Sequence, residues 1–476
     1  MPARLRVLSL VLLALTACVR NPATGKRMLS LVSQDEEISL GKQGALEVKQ
    51  SIGLLDVPKV QEYVAAVGLP MARRSERPEL PWTVQAVEDP VVNAFALPGG
   101  PVFVTRGLLT HLNSEAELAS VLGHEIGHIT ARHSVEQLSQ AQLAQVGLVV
   151  GSVLSEDFAK YGGLAAAGLQ LLFLKYGRDD ERQADELGFR YMLQAGYDVR
   201  EAANVFVTLG RVGESAGGGL PSWLSTHPDP GERVQTARAR AEQANVDFTR
   251  LKQRREEYLA MLQGMAYGED PRQGFFQGSR FLHPGLRFQL TFPQDWKTAN
   301  QTQAVLAVSP QEEALLGLAT AGNVSPQEAL KAFVTQQGIQ VMDTPATGYP
   351  AGSVYFQAQT EQGTIRGATT FFTHAGATFQ LLGYTTAAQL PAYDSAIRDT
   401  FNSFGELTDP AALAVQPARI ELVKLEAPMT VREFHQKHPS TIPVEEVALI
   451  NGVQPGDTLP AGHTVKRVTG GVKPAP

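Results

Sequence analysis

Hydrophobic positions along the chain change their period several times, and each change marks an element boundary. From about 36 to 74, apolar residues recur at three- and four-residue intervals, as in helices with one buried face. Over 80–104 the pattern switches to alternation with many β-branched residues, which predicts strands. Ser114-Glu115-Ala116-Glu117 has the form of a capping box and opens a helix running to about His133. Two apolar runs follow inside 136–175, at 143–154 and 163–174, each too short to cross a bilayer. They are expected to form a buried helical hairpin or a lid. Helical periodicity returns over 179–195, with Gly196 as the stop, and continues to about 213. A Gly/Pro-rich loop covers 215–231, and a last charged helix is predicted over 231–264.

The texture then changes. Residues 265–281, rich in Gly, Gln and Arg, read as a boundary. Leu286, Phe288, Leu290 and Phe292 alternate with polar residues, as in a half-buried strand. Ser325-Pro326-Gln327-Glu328 is a helix start with proline at the first helical position. A separate α+β domain is expected over 282–405, then a Pro/Ala linker, then a small module over 418–468. The whole is of the α+β class: a mainly helical domain with a small sheet over 36–264, followed by two smaller units.

Composition narrows the class. A chain of 476 residues suits two to four domains at roughly 100–200 residues each. With 43% hydrophobic and 19% charged residues, ordinary globular folds are expected. A net charge of −7 without a long basic run excludes nucleic-acid binding as the main role. Residues 1–17 read as a signal peptide: Arg4 and Arg6 precede an apolar stretch that ends in Leu15-Thr16-Ala17-Cys18. Residues 18–35 read as a polar tether. Cys18 is the one cysteine, so no intramolecular disulfide can form.

Candidate chemistry is concentrated in His124-Glu125-Ile126-Gly127-His128. Four residues advance a helix only slightly beyond one turn, so both imidazoles leave the same face and can reach one ion. Glu125 lies at the edge of that face, placed for a water at the metal and not for the metal itself. Leu118, Val121, Leu122 and Ile126 are expected to bury the helix. A catalytic zinc needs a third protein ligand. Glu181, in Asp180-Glu181-Arg182-Gln183-Ala184-Asp185, is the candidate.

With these two motifs together, the chain resembles the HtpX/BepA-like zinc metalloproteases, gluzincins related to the Ste-type CAAX prenyl protease. The resemblance extends through Asn93-Ala94-Phe95-Ala96-Leu97-Pro98-Gly99-Gly100, Gly107-Leu108-Leu109, and Ser225-Thr226-His227-Pro228 followed by Arg233. It implies a gluzincin-type domain with one Zn2+ per chain, held by His124, His128 and Glu181, the fourth position being open to water. It implies that Asp185 orients a zinc histidine, that Glu125 takes a proton from the attacking water, and that His227 approaches the zinc, either as a catalytic residue that steadies the transition state or to block the open position in a resting form. It also implies that Val102, Phe103 and Val104 form an edge strand on which an extended substrate pairs. Such a site suits an endopeptidase for misfolded or stalled envelope proteins; the alternative is a chaperone or assembly factor for outer-membrane proteins with a latent protease. Because 136–175 is tethered at both ends near the metal, a lid over the groove is expected.

Leu15-Thr16-Ala17-Cys18 resembles the lipobox of bacterial lipoproteins, which implies acylation of Cys18 and a membrane anchor. Val19 in place of aspartate implies outer-membrane sorting, facing the periplasm. The 282–405 domain loosely resembles the PsbP-like fold. The tail, with 444–452 and Leu459-Pro460-Ala461-Gly462, resembles the second half of a LysM module, a βααβ fold that binds glycan, here peptidoglycan. Its first half departs from that pattern, with Glu426-Ala427-Pro428 where Gly-Asp-Thr is usual.

Overall fold

The computed structural model describes residues 18–140, 176–215, 223–227, 230–301, 304–360 and 363–471. The signal peptide over 1–17 and most of the expected lid, 141–175, lie outside the described residues. The chain divides into two compact units, one of residues 1–269 with 419–469 and one of 270–418 with 470–476. Among the described residues no helix is long and apolar enough to cross a membrane.

The first unit begins with a hairpin, β1 (Cys18–Arg20) and β2 (Arg27–Leu29). Helices α1 (Gln34–Ser51) and α2 (Pro58–Ala72) follow. Ser33 and Glu36 form a reciprocal capping box at the start of α1. The stretch read as a polar tether is packed: Asn21, Met28, Ser30 and Val32 are buried, and the Leu31 amide donates to Ser139 Oγ at 2.9 Å. A free tether leaves its side chains in water, whereas here the apolar Met28 and Val32 and the polar Asn21 and Ser30 are all buried.

A three-stranded sheet comes next, from β3 (Thr83–Val87), β4 (Ala94–Ala96) and β5 (Pro101–Thr105). Its order is β3-β5-β4. This corrects the expectation that Val102, Phe103 and Val104 form an edge. Val102 pairs with Val84 on one side and Ala96 on the other, and all three residues are fully buried. An all-apolar run with both backbone edges bonded is an interior strand. The antiparallel sheet edge belongs to β4.

Helices α3 (Arg106–His111) and α4 (Glu115–Thr130) follow. Every residue of α4 is buried. Its cap differs from the expected reciprocal box: Ser114 Oγ accepts the Glu117 amide, but the Glu117 carboxylate accepts the Asn113 amide. At its far end the Glu37 carboxylate receives Arg77 Nη1 at 2.7 Å and Arg132 Nε at 2.9 Å. Arg77 also donates to the Ile129 carbonyl, so the C-terminal turn of α4 is fastened to α1.

Against α4 lie α5 (Arg178–Ala195) and α6 (Glu201–Ser215). Gly196 closes α5 with φ 78°, the left-handed conformation that glycine adopts freely. The expected single helix over 231–264 is two, α7 (Pro230–Gln243) and α8 (Arg255–Leu262). Asn245 and Arg254 between them have positive φ, incompatible with a continuous helix.

Glycine governs how closely α4 and α5 approach. A Cβ on Gly188 would lie 2.8 Å from the His124 amide nitrogen, and one on Gly127 would lie 3.0 Å from the Ala184 carbonyl oxygen. Both obstacles are backbone and cannot rotate away. Gly188→Ala should therefore push α5 off α4, destabilise the chain by ~1–3 kcal/mol as overpacking does, and weaken zinc binding. Thermal unfolding and zinc affinity measured on one preparation check this; parental values for both would refute it.

The second unit, described by itself, is built on antiparallel strands. A four-stranded sheet uses β6 (Phe275–Gln277), β7 (Arg280–His283), β8 (Phe288–Thr291) and a later β16 (Gly405–Glu406). A seven-stranded sheet uses β9 (Lys297–Gln301), β10 (Ala304–Val308), β11 (Ala314–Gly322), β12 (Ile339–Pro345), β13 (Val354–Thr360), β14 (Gly363–His374) and β15 (Ala377–Thr386). Helices α9 (Pro326–Val334) and α10 (Leu390–Asn402) pack on it. The Ser325 capping box with Pro326 at the first position is present as read. Phe288, Leu290 and Phe292 enter its core with Leu316, Phe379 and Ile397.

The tail belongs to the first unit. Strand β17 (Arg419–Lys424), β18 (Met429–Thr430), α11 (Val431–Lys437), α12 (Val444–Ile450), β19 (Thr458–Leu459) and β20 (Thr464–Thr469) follow in order, with β17 antiparallel to β20. Lys466 is fully buried and donates to the Thr110 and Leu112 carbonyls at 2.9 and 2.7 Å. Burial holds its ammonium well below the usual lysine pKa, against the pull of Glu117.

Candidate metal centre

Helix α4 presents His124 and His128 on one side, four residues apart, and α5 presents Glu181 and Asp185 opposite them. The glycine contact described above brings these faces together. His124 Nε2 and His128 Nε2 stand 3.0 Å apart. Glu181 Oε1 is 3.3 Å from His128 Nε2, and Glu181 Oε2 is 3.6 Å from His124 Nε2. His227, after the single helical turn Trp223–Thr226, adds a fourth group, with Nδ1 2.8 Å from Glu181 Oε1 and 3.2 Å from His124 Nε2. Ligand atoms of His124, His128, Glu181 and His227 all lie within 4.8 Å of one another, and all four residues are buried.

These residues fit a zinc ion. Donors ~2.0–2.1 Å from a shared tetrahedral ion stand ~3.3 Å apart, close to the separations found here. Imidazole nitrogen and carboxylate oxygen are zinc's usual ligands. Glu181 Oε2 is a buried oxygen without a hydrogen bond, although Arg233 Nη1 stands 2.8 Å from it as an ion pair. Nitrogens facing one another at 3.0–3.2 Å beside such an oxygen are what a cation resolves.

Glu125 follows His124 and sits beside the ligands, not among them. Its Oε1 is buried, has no hydrogen-bond partner among the described residues, and lies 3.6 Å from His227 Nε2. A carboxylate kept off the metal but beside it can accept a proton.

Surrounding groups orient the ligands. Asp185 Oδ1 is 2.9 Å from His124 Nδ1; Arg233 Nη2 is also near that nitrogen, at 3.2 Å, but donates to Asp185 Oδ1 at 2.6 Å, so the proton on the ring sits on Nδ1 and the Nε2 lone pair faces the centre. Arg233 donates to both Asp185 oxygens at 2.6 and 2.9 Å, and its guanidinium lies 4.2 Å from the Phe206 ring and 4.4 Å from the Trp223 ring. Burial alone would raise the pKa of Glu181, but His227 and His124 overrule it and hold the carboxyl well below its ordinary value. Asp185 is lowered too: burial raises it, but Arg233 and His124 together outweigh burial. Burial drives His128 far below the ordinary histidine pKa, which keeps its ring neutral. Glu181 is thus charged and the His128 ring a free base, as ligands must be, while Asp185 is charged as the partner of His124.

The structure brings Glu125, His124, His128, Glu181, Asp185, His227 and Arg233 into one cluster. Val102, Phe103 and Val104 lie on the interior strand described above, and Cys18 is in the N-terminal hairpin. Sequence reasoning missed Trp223, which stacks on His227 at 4.5 Å and 19°, and Tyr176, which stacks on His128 at 3.9 Å and 28°. It also gave no role to His133, which is buried beside His128.

This constellation is a zinc-binding site of the HExxH type, completed by a glutamate from a second helix. The family model described as Peptidase family M48 matches residues 58–241, and the chain carries a domain of that family. It is similar to the "Putative beta-barrel assembly-enhancing protease" of Vibrio cholerae, 31% identical over 230 residues, 47% of each chain. The "Beta-barrel assembly-enhancing protease" of Escherichia coli strain K12 is 28% identical over 231 residues, again 47% of each. The "Mitochondrial metalloendopeptidase OMA1" of Arabidopsis thaliana is 39% identical over 155 residues, 32% of this chain and 30% of that protein. These matches span less than half the length of each of the three relatives.

Proposed function

We propose that the chain is a zinc-dependent endopeptidase of the bacterial cell envelope that cleaves misfolded or stalled envelope proteins. The observation that carries this reading is the buried Glu125 carboxylate, whose Oε1 has no hydrogen bond among the described residues, beside the three ligands His124, His128 and Glu181. Zinc held there supplies Lewis-acid chemistry, lowering the pKa of water towards ~7 and polarising the scissile carbonyl. Glu125 accepts the proton of the attacking water and returns it to the leaving amine. Asp185 holds His124 in the ligating tautomer, and Arg233 holds Asp185. An extended substrate would pair with the edge of β4 that no described strand occupies, since both edges of β5 are taken. The test is cleavage of unfolded casein by the full chain, lost on chelation and restored by zinc.

A second reading, an assembly factor for outer-membrane proteins with a latent protease, is favoured by one observation. His227 stands among the ligands, where a water or substrate carbonyl must come. His227→Ala should raise basal casein cleavage several-fold at unchanged zinc content. Unchanged or lower cleavage would assign His227 to catalysis or to packing.

Anchoring through acylated Cys18 at the outer membrane, facing the periplasm, completes the proposal, along with peptidoglycan binding by residues 418–468. Mass spectrometry of the N-terminal peptide and sedimentation of the chain with peptidoglycan address each in turn.

A further inference from the structure

The two zinc histidines are oriented by different means. His124 has the carboxylate of Asp185. The outer nitrogen of His128 faces another histidine: His128 Nδ1 lies 2.9 Å from His133 Nδ1. One of these nitrogens carries the proton, and which one decides whether His128 can bind a metal through Nε2.

The surroundings answer this from the backbone outward. Asn21, in the turn after β1, is fixed by three backbone groups. Its Oδ1 accepts the amides of Ala23 and Thr24 at 2.9 and 3.2 Å, and its Nδ2 donates to the Ala131 carbonyl at 2.9 Å. Oδ1 and Nδ2 cannot be exchanged without placing like groups together. Asn21 Nδ2 also faces Gln183 Oε1 at 3.5 Å, a weak contact whose polarity still requires oxygen at that position. Gln183 Oε1 lies 2.8 Å from His133 Nε2, and an amide oxygen can only accept, so His133 Nε2 carries hydrogen. Asp180 Oδ1, 3.7 Å from the same nitrogen, favours the same assignment. His133 is 2% exposed, a setting that disfavours a charged ring, and with its one hydrogen on Nε2 the neutral imidazole offers Nδ1 to His128 Nδ1 as an acceptor. The proton between the rings therefore sits on His128 Nδ1, which leaves the Nε2 lone pair pointing at His124 and Glu181.

We propose that His133, Gln183 and Asn21 form a relay that sets the tautomer of His128, making His133 and Gln183 positioning residues of the metal site. The proposal rests on the metalloprotease reading and deepens it. Within the motif from Asp180 to Asp185, Glu181 faces the metal, Asp185 serves one histidine and Gln183 serves the other. The relay also starts three residues after Cys18, so the order of the N-terminal hairpin bears on a zinc ligand.

The test uses the full chain with zinc affinity measured by chelator competition. His133→Phe removes the acceptor and should weaken zinc binding ~10–100-fold, the usual consequence of losing a ligand's outer partner. His133→Gln supplies an amide oxygen to His128 Nδ1 and should recover most of that loss. Gln183→Leu, a milder change, should weaken binding in the same direction. Ring 15N spectra of the zinc-free protein should show His128 with hydrogen on Nδ1 in the parental chain and a tautomer mixture in His133→Phe. Zinc affinity and His128 tautomer unchanged in both His133→Phe and Gln183→Leu would overturn the relay. So would equal losses in His133→Phe and His133→Gln with the tautomer intact. A parental chain that binds no zinc would instead overturn the metalloprotease reading itself.

Discussion

Glu125→Gln should bind one zinc per chain and cleave unfolded protein about 10³-fold more slowly than the parental enzyme. The substitution keeps size and shape, and Glu125 contributes no ligand atom to the cluster of His124, His128, Glu181 and His227. Zinc content should therefore hold. What disappears is the buried oxygen able to take the proton of the attacking water, since an amide at that place cannot be protonated usefully near neutral pH. Its removal leaves no obvious substitute: His227 Nε2 is 3.6 Å away, but that ring already engages Glu181 and His124 through Nδ1. Parental cleavage rates in Glu125→Gln would show that another group acts as base.

Glu181→Ala should lose zinc as well as activity, with affinity falling beyond the ~10–100-fold expected for Asp185→Ala, where only a ligand's partner is removed. Glu181 is the sole carboxylate in the cluster, and it comes from a different helix than the two histidines. Without it, two imidazoles four residues apart remain, together with His227 on its short turn. The loss also frees Arg233 Nη1 from its 2.8 Å ion pair and leaves that cation beside the two histidines, which further disfavours a dication. Metal analysis after dialysis measures this directly. Full zinc content in Glu181→Ala would mean that the third ligand lies elsewhere.

How far the sequence carried varies with the range over which each feature is decided. The histidine pair was legible because helical geometry alone places residues i and i+4 on one face. Glu181 was legible only through motif resemblance, since no local rule links a residue 53 positions beyond His128 to the same ion. The place of β5 within its sheet was misjudged because hydrogen-bonding neighbours, not the strand's own residues, make a strand central or marginal. The apolar run Pro101-Val102-Phe103-Val104-Thr105 did carry a hint, since a strand with one wet face would alternate. Gly123 and Gly127 precede the two histidines of the motif, one each, at helical spacing, a visible sign of close helix packing; Gly188 on the opposite helix could be recognised only in three dimensions. His133 belongs to no motif. Its role depends on Gln183 and Asn21, distant in sequence and ordinary in type. The N-terminal segment reads as polar on average, but Asn21 is buried because its side chain satisfies backbone groups of the turn and of Ala131.

The most direct test of the central claim is a zinc titration of casein cleavage by the chelator-stripped full chain, run in parallel on His227→Ala. Cleavage should be absent at zero zinc, rise in proportion to added metal, and saturate at one equivalent per chain, with a higher plateau in His227→Ala. Cleavage that survives stripping, or one bound zinc with no cleavage in either protein, would contradict the account.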